Sequence, residues 1–299
     1  MIHKTLFNAT LVEGYSFRNT IAMIKVETDE VTMVVSSVGI IIKFVNKGQH
    51  GVYDIFINAE SLSSYNYNIV DHTEYPITVN TTELLNTTKG VGRKDGLNIY
   101  WLENYAKISI QPLKHGKDLG RSTASFVNII NREYIKYELH NSYTGNEPNI
   151  KIQSKEFSDA CSQACALRCS YVEIQGCSNY FIFKGILSDG TCGMISRTMS
   201  QQIKGKIEQI QHKDDMLHEK ISTQNSSIKG SLELNVIKNE DLKIVKIPIS
   251  TIKTFCKLHN ISPGGTLLKF TFSATKPMKI ESPISSYGEY KVYLRNPIN

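Results

Sequence analysis

Phe126–Cys169, FVNIINREYIKYELHNSYTGNEPNIKIQSKEFSDACSQACALRC, reads as strand, polar tether, strand and helix. Phe126 to Ile130 is a short apolar run fit for a strand. Asn131 to Pro148 mixes charge and asparagine with scattered apolar residues, the composition of an ordered connector rather than a Gly/Ser spacer. After it, Asn149 to Ile152 alternates again, and Ser154 stands where a helix cap belongs. Phe157, Cys161, Ala164 and Cys165 then form one apolar helical stripe. A strand and helix that restart after a tether imply a second copy of an earlier unit.

The first copy lies near the N-terminus. Phe7 to Glu13 reads as a strand and Ser16 to Val26 as a helix whose apolar stripe is Phe17, Ile21 and Ile24. A second helix in the first unit spans Thr81 to Lys89, and one in the second unit spans Ile249 to Leu258. Strands fill the rest: Val31 to Val45, Gly51 to Asn58, Ile77 to Asn80, Leu97 to Trp101, Ala106 to Ile110 and Ser122 to Ile130 in the first unit. In the second they are Tyr171 to Ile174, Tyr180 to Gly185, Thr191 to Met199, Leu232 to Ile237, Leu242 to Ile247, Leu267 to Ser273, Lys279 to Glu281 and Tyr290 to Leu294. The units are residues 1–130 and 149–299, joined by a connecting tether at 131–148. Residues 200–231, charged and amide-rich, read as a mobile insertion in a loop.

FNATLVEG with its helix, VSSVGIIIKFV, ITVNTTELL, KIQSKEFSDAC and EYKVYLRNPI occur in this order over nearly the whole chain. Together they resemble the homologous places of the proliferating cell nuclear antigen (PCNA) family of DNA sliding clamps, and the chain is identified as a divergent member. The resemblance implies an α+β DNA-clamp fold: two similar domains, each with two helices on curved antiparallel sheets. Two units per chain imply a homotrimeric ring.

Of 299 residues, 40% are hydrophobic and 21% charged, as in a soluble globular protein. The N-terminus lacks a signal-peptide core, and the most apolar run, Val38 to Val45, contains Lys43 and is far too short to span a membrane. An intracellular protein is expected, in the nucleus or a viral replication compartment. The Ile-, Asn-, Lys- and Thr-rich composition fits a large DNA virus or an AT-rich unicellular eukaryote. The formal charge of +6 permits nucleic-acid binding and departs from the acidic exterior common in the family.

No Walker loop, GxSxG, HExxH or GxGxxG occurs, so neither enzyme activity nor a cofactor is expected. Cys161, Cys165 and Cys169, spaced by four, lack the CxxC spacing of zinc pairs and read as small buried thiols; no metal site is expected. The signal that carries function is basic residues on the outward helix faces: Arg18 and Lys25, Lys89 and Arg93, Lys253 and Lys257. Lys155 lies on a third helix whose polar face is nearly neutral. Amphipathic helices ordinarily carry lysines outside. The resemblance adds that Arg18, Lys25 and Lys257 fall where the family has channel lysines. Such side chains meet phosphates of double-stranded DNA without reading bases.

The resemblance also implies a groove for partner peptides of DNA polymerase and other replication and repair proteins. The matching positions are Val45, His50 and Tyr53, then Leu139 and Tyr143 in the tether, and Pro277, Tyr293, Leu294 and Pro297. A clamp loader is a further expected partner. Ring closure is expected between the Ser122 to Ile130 strand and Thr191 to Met199 of the next chain, through Val127, Ile130, Cys192 and Ile195, and proline at Val127 or Ile195 would disrupt it. Two other readings stay open: a monomeric or dimeric processivity factor that does not encircle DNA, and a β-rich viral structural protein.

Overall fold

A computed structural model describes residues 4–115, 123–134, 150–176, 180–199, 243–262, 264–273 and 276–295. The first half runs β1 (Thr5–Leu11), α1 (Gly14–Glu27), β2 (Glu30–Ser36), β3 (Gly39–Val45) and β4 (Gly51–Asn58). It continues with β5 (Ser64–Tyr67), β6 (Glu74–Asn80), α2 (Thr81–Thr88), β7 (Gly96–Leu102), β8 (Lys107–Leu113) and β9 (Ser125–Ile130). The second half runs β10 (Ile150–Gln153), α3 (Ser154–Ala166), β11 (Tyr171–Gly176), β12 (Tyr180–Ile186) and β13 (Cys192–Met199). After it come β14 (Lys243–Pro248), α4 (Ile249–Phe255), β15 (Leu267–Thr271), β16 (Met278–Ile284) and β17 (Gly288–Leu294).

Apart from β5, the halves repeat element by element. In the first, strands pair as β4-β3-β2-β6 and β9-β8-β7-β1; in the second, as β13-β12-β11-β14 and β17-β16-β15-β10. The halves fuse because β17 pairs with β4 over a full seven-residue register, from Gly51 opposite Leu294 to Ile57 opposite Gly288. A weak link, Thr78 opposite Ile130 and Val79 opposite Ile129, joins β6 to β9 and completes a 13-stranded sheet. Sheets of this size curl, split or flatten.

Alternation along each strand sends one face inward. Tyr53, Ile55 and Ile57 of β4 and Tyr290, Val292 and Leu294 of β17 join Phe17, Ile21, Ile24, Phe157, Ile252 and Phe255 of the helices in one core. Helix α1 packs against α2 and α4, and α4 against α3, so the helices form one layer in the order α2-α1-α4-α3. Polar side chains tie the halves together within it. Glu27, 5% exposed at the end of α1, accepts hydrogen bonds from Asn46 Nδ2 at 3.1 Å and from the Thr254 hydroxyl of α4. Asn19 Nδ2 donates to the Asn260 carbonyl at 3.3 Å, and the Ser285 hydroxyl donates to Glu13.

The opposite face of the sheet carries a row of alternating charge across the seam. Lys43, Asp54, Lys291, Glu281 and Lys269 are cross-strand neighbours on β3, β4, β17, β16 and β15. Lys43 and Asp54 lie 3.5 Å apart. Opposite charges directly across strands stabilise one register, and a slip of two residues forfeits that.

Several local expectations are corrected. Val31 to Val45 is two strands, turned at Ser37–Val38 with Gly39 at φ 144°, where a side chain would meet the Ile57 carbonyl. Ser154 is not a cap: Gln153 precedes the helix without a side-chain bond, while Ser154 is buried and its N–H donates to the Thr266 carbonyl. α3 stops at Ala166, because Arg168 turns left-handed at φ 56° and Cys169 N–H reaches back to the Ala164 carbonyl. α4 ends at Phe255 and gives way to a 3-10 turn, Leu258–Asn260. β5 is an additional strand, paired with β1. The strand expected at 232–237, the insertion at 200–231 and most of the tether lie outside the described residues. Among the described residues no helix is long and apolar enough to cross a membrane.

Candidate nucleic-acid interface

Burial of Phe17, Ile21 and Ile24 turns Arg18 and Lys25 to the outer face of the helix layer, each half-buried. Lys253 projects from α4 because Thr251, Ile252, Thr254 and Phe255 are buried, and Lys257 follows one turn on; both are exposed. Asn80 Oδ1 caps α2 by accepting from Thr82 and Glu83 N–H, and its C-terminal end delivers exposed Lys89 and Arg93. Lys155 is exposed in the first turn of α3, next to Glu156 and Asp159. Arg18, Lys25, Lys155 and Lys253 thus leave the helices away from their buried stripes, Lys89, Arg93 and Lys257 stand just past helix ends, and α3 is the least basic member.

Not all of these charges are equally available. Arg18 Nη1 donates to the Val91 carbonyl at 2.9 Å, and its guanidinium lies 5.8 Å from the Tyr15 ring centroid. Lys25 pairs with Asp29 at 2.9 Å, and Lys47 with the same carboxylate at 2.7 Å. The hydrogen bonds from Lys47, then Lys25, hold the Asp29 carboxyl down at about 2. Lys25 therefore meets an anion only in competition with Asp29. In the loop after α2, Asp95 is 8% exposed; it accepts from Lys114 Nζ at 2.7 Å and from Gly92 N–H at 2.8 Å. This bond network fixes the loop that carries Arg93.

The expected groove residues divide between the two faces of the sheet. Val45 faces outward; the register sets it opposite Val52, and Val52 opposite Tyr293. Burial pushes the Tyr293 phenol up to about 12. Beside this row a cavity of about 540 Å³ is lined by Val45, Lys47, His50, Val52 and Arg295. Pro277 is half-buried immediately before β16. Tyr53 and Leu294, each 1% exposed, belong to the core and do not line the groove. Strand parity decides this, since their neighbours Val52 and Tyr293 take the outer side. The Tyr53 and Tyr290 hydroxyls have no hydrogen-bond partner among the described residues. Burial raises both phenols, with Glu27 adding to each. Leu139, Tyr143 and Pro297 lie outside the described residues. Val52 and Arg295 were missed; neither Val52 nor Tyr53 is polar, so alternation in hydrophobicity does not say which faces out.

The interface strands show the same split. Val127 is fully buried and faces the core, so it cannot reach a neighbour; adjacent Phe126 is 56% exposed. Ile130 is half-buried opposite Thr78. On β13, Cys192 is exposed and Ile195 is 64% exposed. β13 has β12 on one side and is the edge of its sheet. Ile129 N–H donates to the Ala106 carbonyl, so odd residues of β9 bond toward β8 and Phe126 and Asn128 N–H point away. Glu83 Oε2 accepts from Asn128 N–H at 3.3 Å.

No protein-family model matches the chain, and no curated relative is found at the sequence level. Among solved structures, it is similar to the crystal structure of proliferating cellular nuclear antigen from Entamoeba histolytica. The TM-score is 0.69, covering 97% of this chain and 98% of that one, at 13% identity. The match gives no support to a viral source. The chain has the α+β fold of PCNA.

Proposed function

We propose that this chain is a sliding clamp: three copies close around duplex DNA, tether a DNA polymerase and serve as a platform for other replication and repair proteins. One observation carries the reading. Within the chain, β17 at the end of the second half pairs along β4 of the first. Their counterparts in the repeat are β9 and β13, which do not pair with each other in one chain. Repeating the seam between copies sets β9 of one beside β13 of the next, buries Phe126 and Ile195, and covers the β13 edge together with the start of β9, which β6 leaves unpaired. In this reading two units per chain make three copies a ring, with the helix layer facing the hole, as the resemblance to the family implies.

In this reading Arg18, Lys25, Lys89, Arg93, Lys155, Lys253 and Lys257 meet phosphates without base readout, which lets the ring slide. Val45, Val52, His50, Pro277 and Tyr293 form the outer groove for partner peptides, and a loader opens the ring. The chain performs no chemistry of its own and works at replication sites, in a nucleus where there is one. The two halves, joined by residues 131–148, are its domains.

Topology provides the test, because charge alone holds any basic protein on any DNA. Protein loaded on a nicked circle is expected to stay at high salt and to leave once the circle is cut. Equal loss from circular and linear DNA would overturn encirclement and favour a non-encircling factor.

A further inference from the structure

Thiols gather where α3 meets the end of α4. Cys161 and Cys165 lie one turn apart on α3, and Cys256 is the C-terminal cap residue of α4. Cys165 Sγ lies 3.8 Å from Cys256 Sγ. Both are half-buried, whereas Cys161 is fully buried, so a dissolved reagent reaches the first two and not the third.

The helices that carry them are held in register. Ser158 Oγ donates to the Phe255 carbonyl at 3.0 Å and accepts from His259 N–H at 3.2 Å. These bonds pin α3 to the last turn of α4 next to the thiol pair. A disulfide needs a sulfur separation of about 2.05 Å, so closing the bond asks the two sulfurs to approach by roughly 1.8 Å more.

We propose that Cys165 and Cys256 are a dithiol that a low-molecular-weight disulfide converts into a bond linking α3 to α4. One cysteine, as thiolate, attacks a sulfur of the small disulfide; that bond breaks and one small thiol leaves with the proton. The second cysteine, after losing its proton to solvent, attacks the protein sulfur of the mixed disulfide and expels the other small thiol. Two protein thiols are oxidised, and one small disulfide is reduced to two thiols. Lys253 and Lys257 flank Cys256, so the link ties down the turn that bears these two exposed lysines. This inference does not rest on the clamp reading.

The test uses the full chain with oxidised glutathione, trapping of free thiols with an alkylating reagent, and peptide mapping without reduction. The expected product is one cross-linked peptide joining Cys165 and Cys256, lighter by two hydrogens and reversed by dithiothreitol. Its thermal midpoint should exceed that of the reduced protein by several degrees. Cys165→Ser and Cys256→Ser should lose both effects, and Cys192→Ser neither. The wild-type map stands by itself if a serine variant fails to fold. Glutathione or alkyl groups on both Cys165 and Cys256 at saturating oxidant would overturn the assignment. So would links spread over the six cysteines.

Discussion

Phe126→Pro isolates the proposed seam between copies. The Phe126 N–H points away from β8, so proline there removes a donor from the outer edge and leaves the bonds of Val127 and Ile129 to β8 in place. Val127→Pro, the change that sequence alone suggests, instead breaks the chain's own ladder at a fully buried residue. Phe126 is 56% exposed, so rather more than half of its side chain remains to be covered. Burying a whole phenyl group contributes about 2–3 kcal/mol, which puts the remainder at about 1.5 kcal/mol. The lost edge hydrogen bond adds about 1 kcal/mol. A total of about 2.5 kcal/mol per seam weakens association by roughly 50–100-fold. Sedimentation velocity across a concentration series reads this directly, with thermal melting to verify that the single chain is intact. An unchanged association midpoint in a folded variant would refute the edge assignment, since neither the donor nor the phenyl would then be in the seam.

Three further outcomes are expected. Alanine at Lys253 and Lys257 should each lower the salt slope of DNA binding by roughly one, while Lys269→Ala on the outer face should leave it unchanged; fluorescence anisotropy against salt checks this. Glu27→Ala, which strands Asn46 and Thr254 between the halves, should cost about 3 kcal/mol in chemical denaturation and broaden or split the transition. Asp95→Asn should destabilise the loop after α2 in a pH-dependent way. The Lys114 ammonium and then the Gly92 N–H hold the Asp95 carboxyl below the usual range, so its contribution is present above the unfolded value near ~3.9 and is lost as pH falls through the folded value. The gap in melting temperature between wild type and D95N should therefore close on acidification.

The helices were legible because a 3.6-residue stripe leaves little choice: Phe17, Ile21 and Ile24 could only face a core, and Arg18 and Lys25 follow from that. Sheet faces were harder to read. Where adjacent residues are both apolar or aromatic, as at Val52–Tyr53, Phe126–Val127 and Tyr293–Leu294, hydrophobicity carries no parity, and only the register of the neighbouring strand sets it. Three of the corrected site residues come from those pairs. The end of α3 was hidden for another reason. Leu167 prolongs the apolar pattern, and the left-handed turn falls on Arg168 rather than on a glycine. Phe126 itself stood in the sequence as the first residue of its strand, but its exposure is a property of the fold.

The β4–β17 seam also governs how the protein can be made. Val52 and Tyr293 pair, yet nearly the whole chain is translated between them. At ordinary synthesis rates β4 leaves the ribosome roughly 10–50 s before its partner exists. During that interval the first half carries a seven-residue edge flanked by hydrophobic strands, a template for pairing with another nascent chain. Lys43 and Asp54, on the two outermost strands of that waiting edge, act as gatekeepers before they become part of the finished charge row. Until β17 is in place the sheet stays open along β4, so a truncation that removes β17 should leave that edge exposed and the chain aggregation-prone.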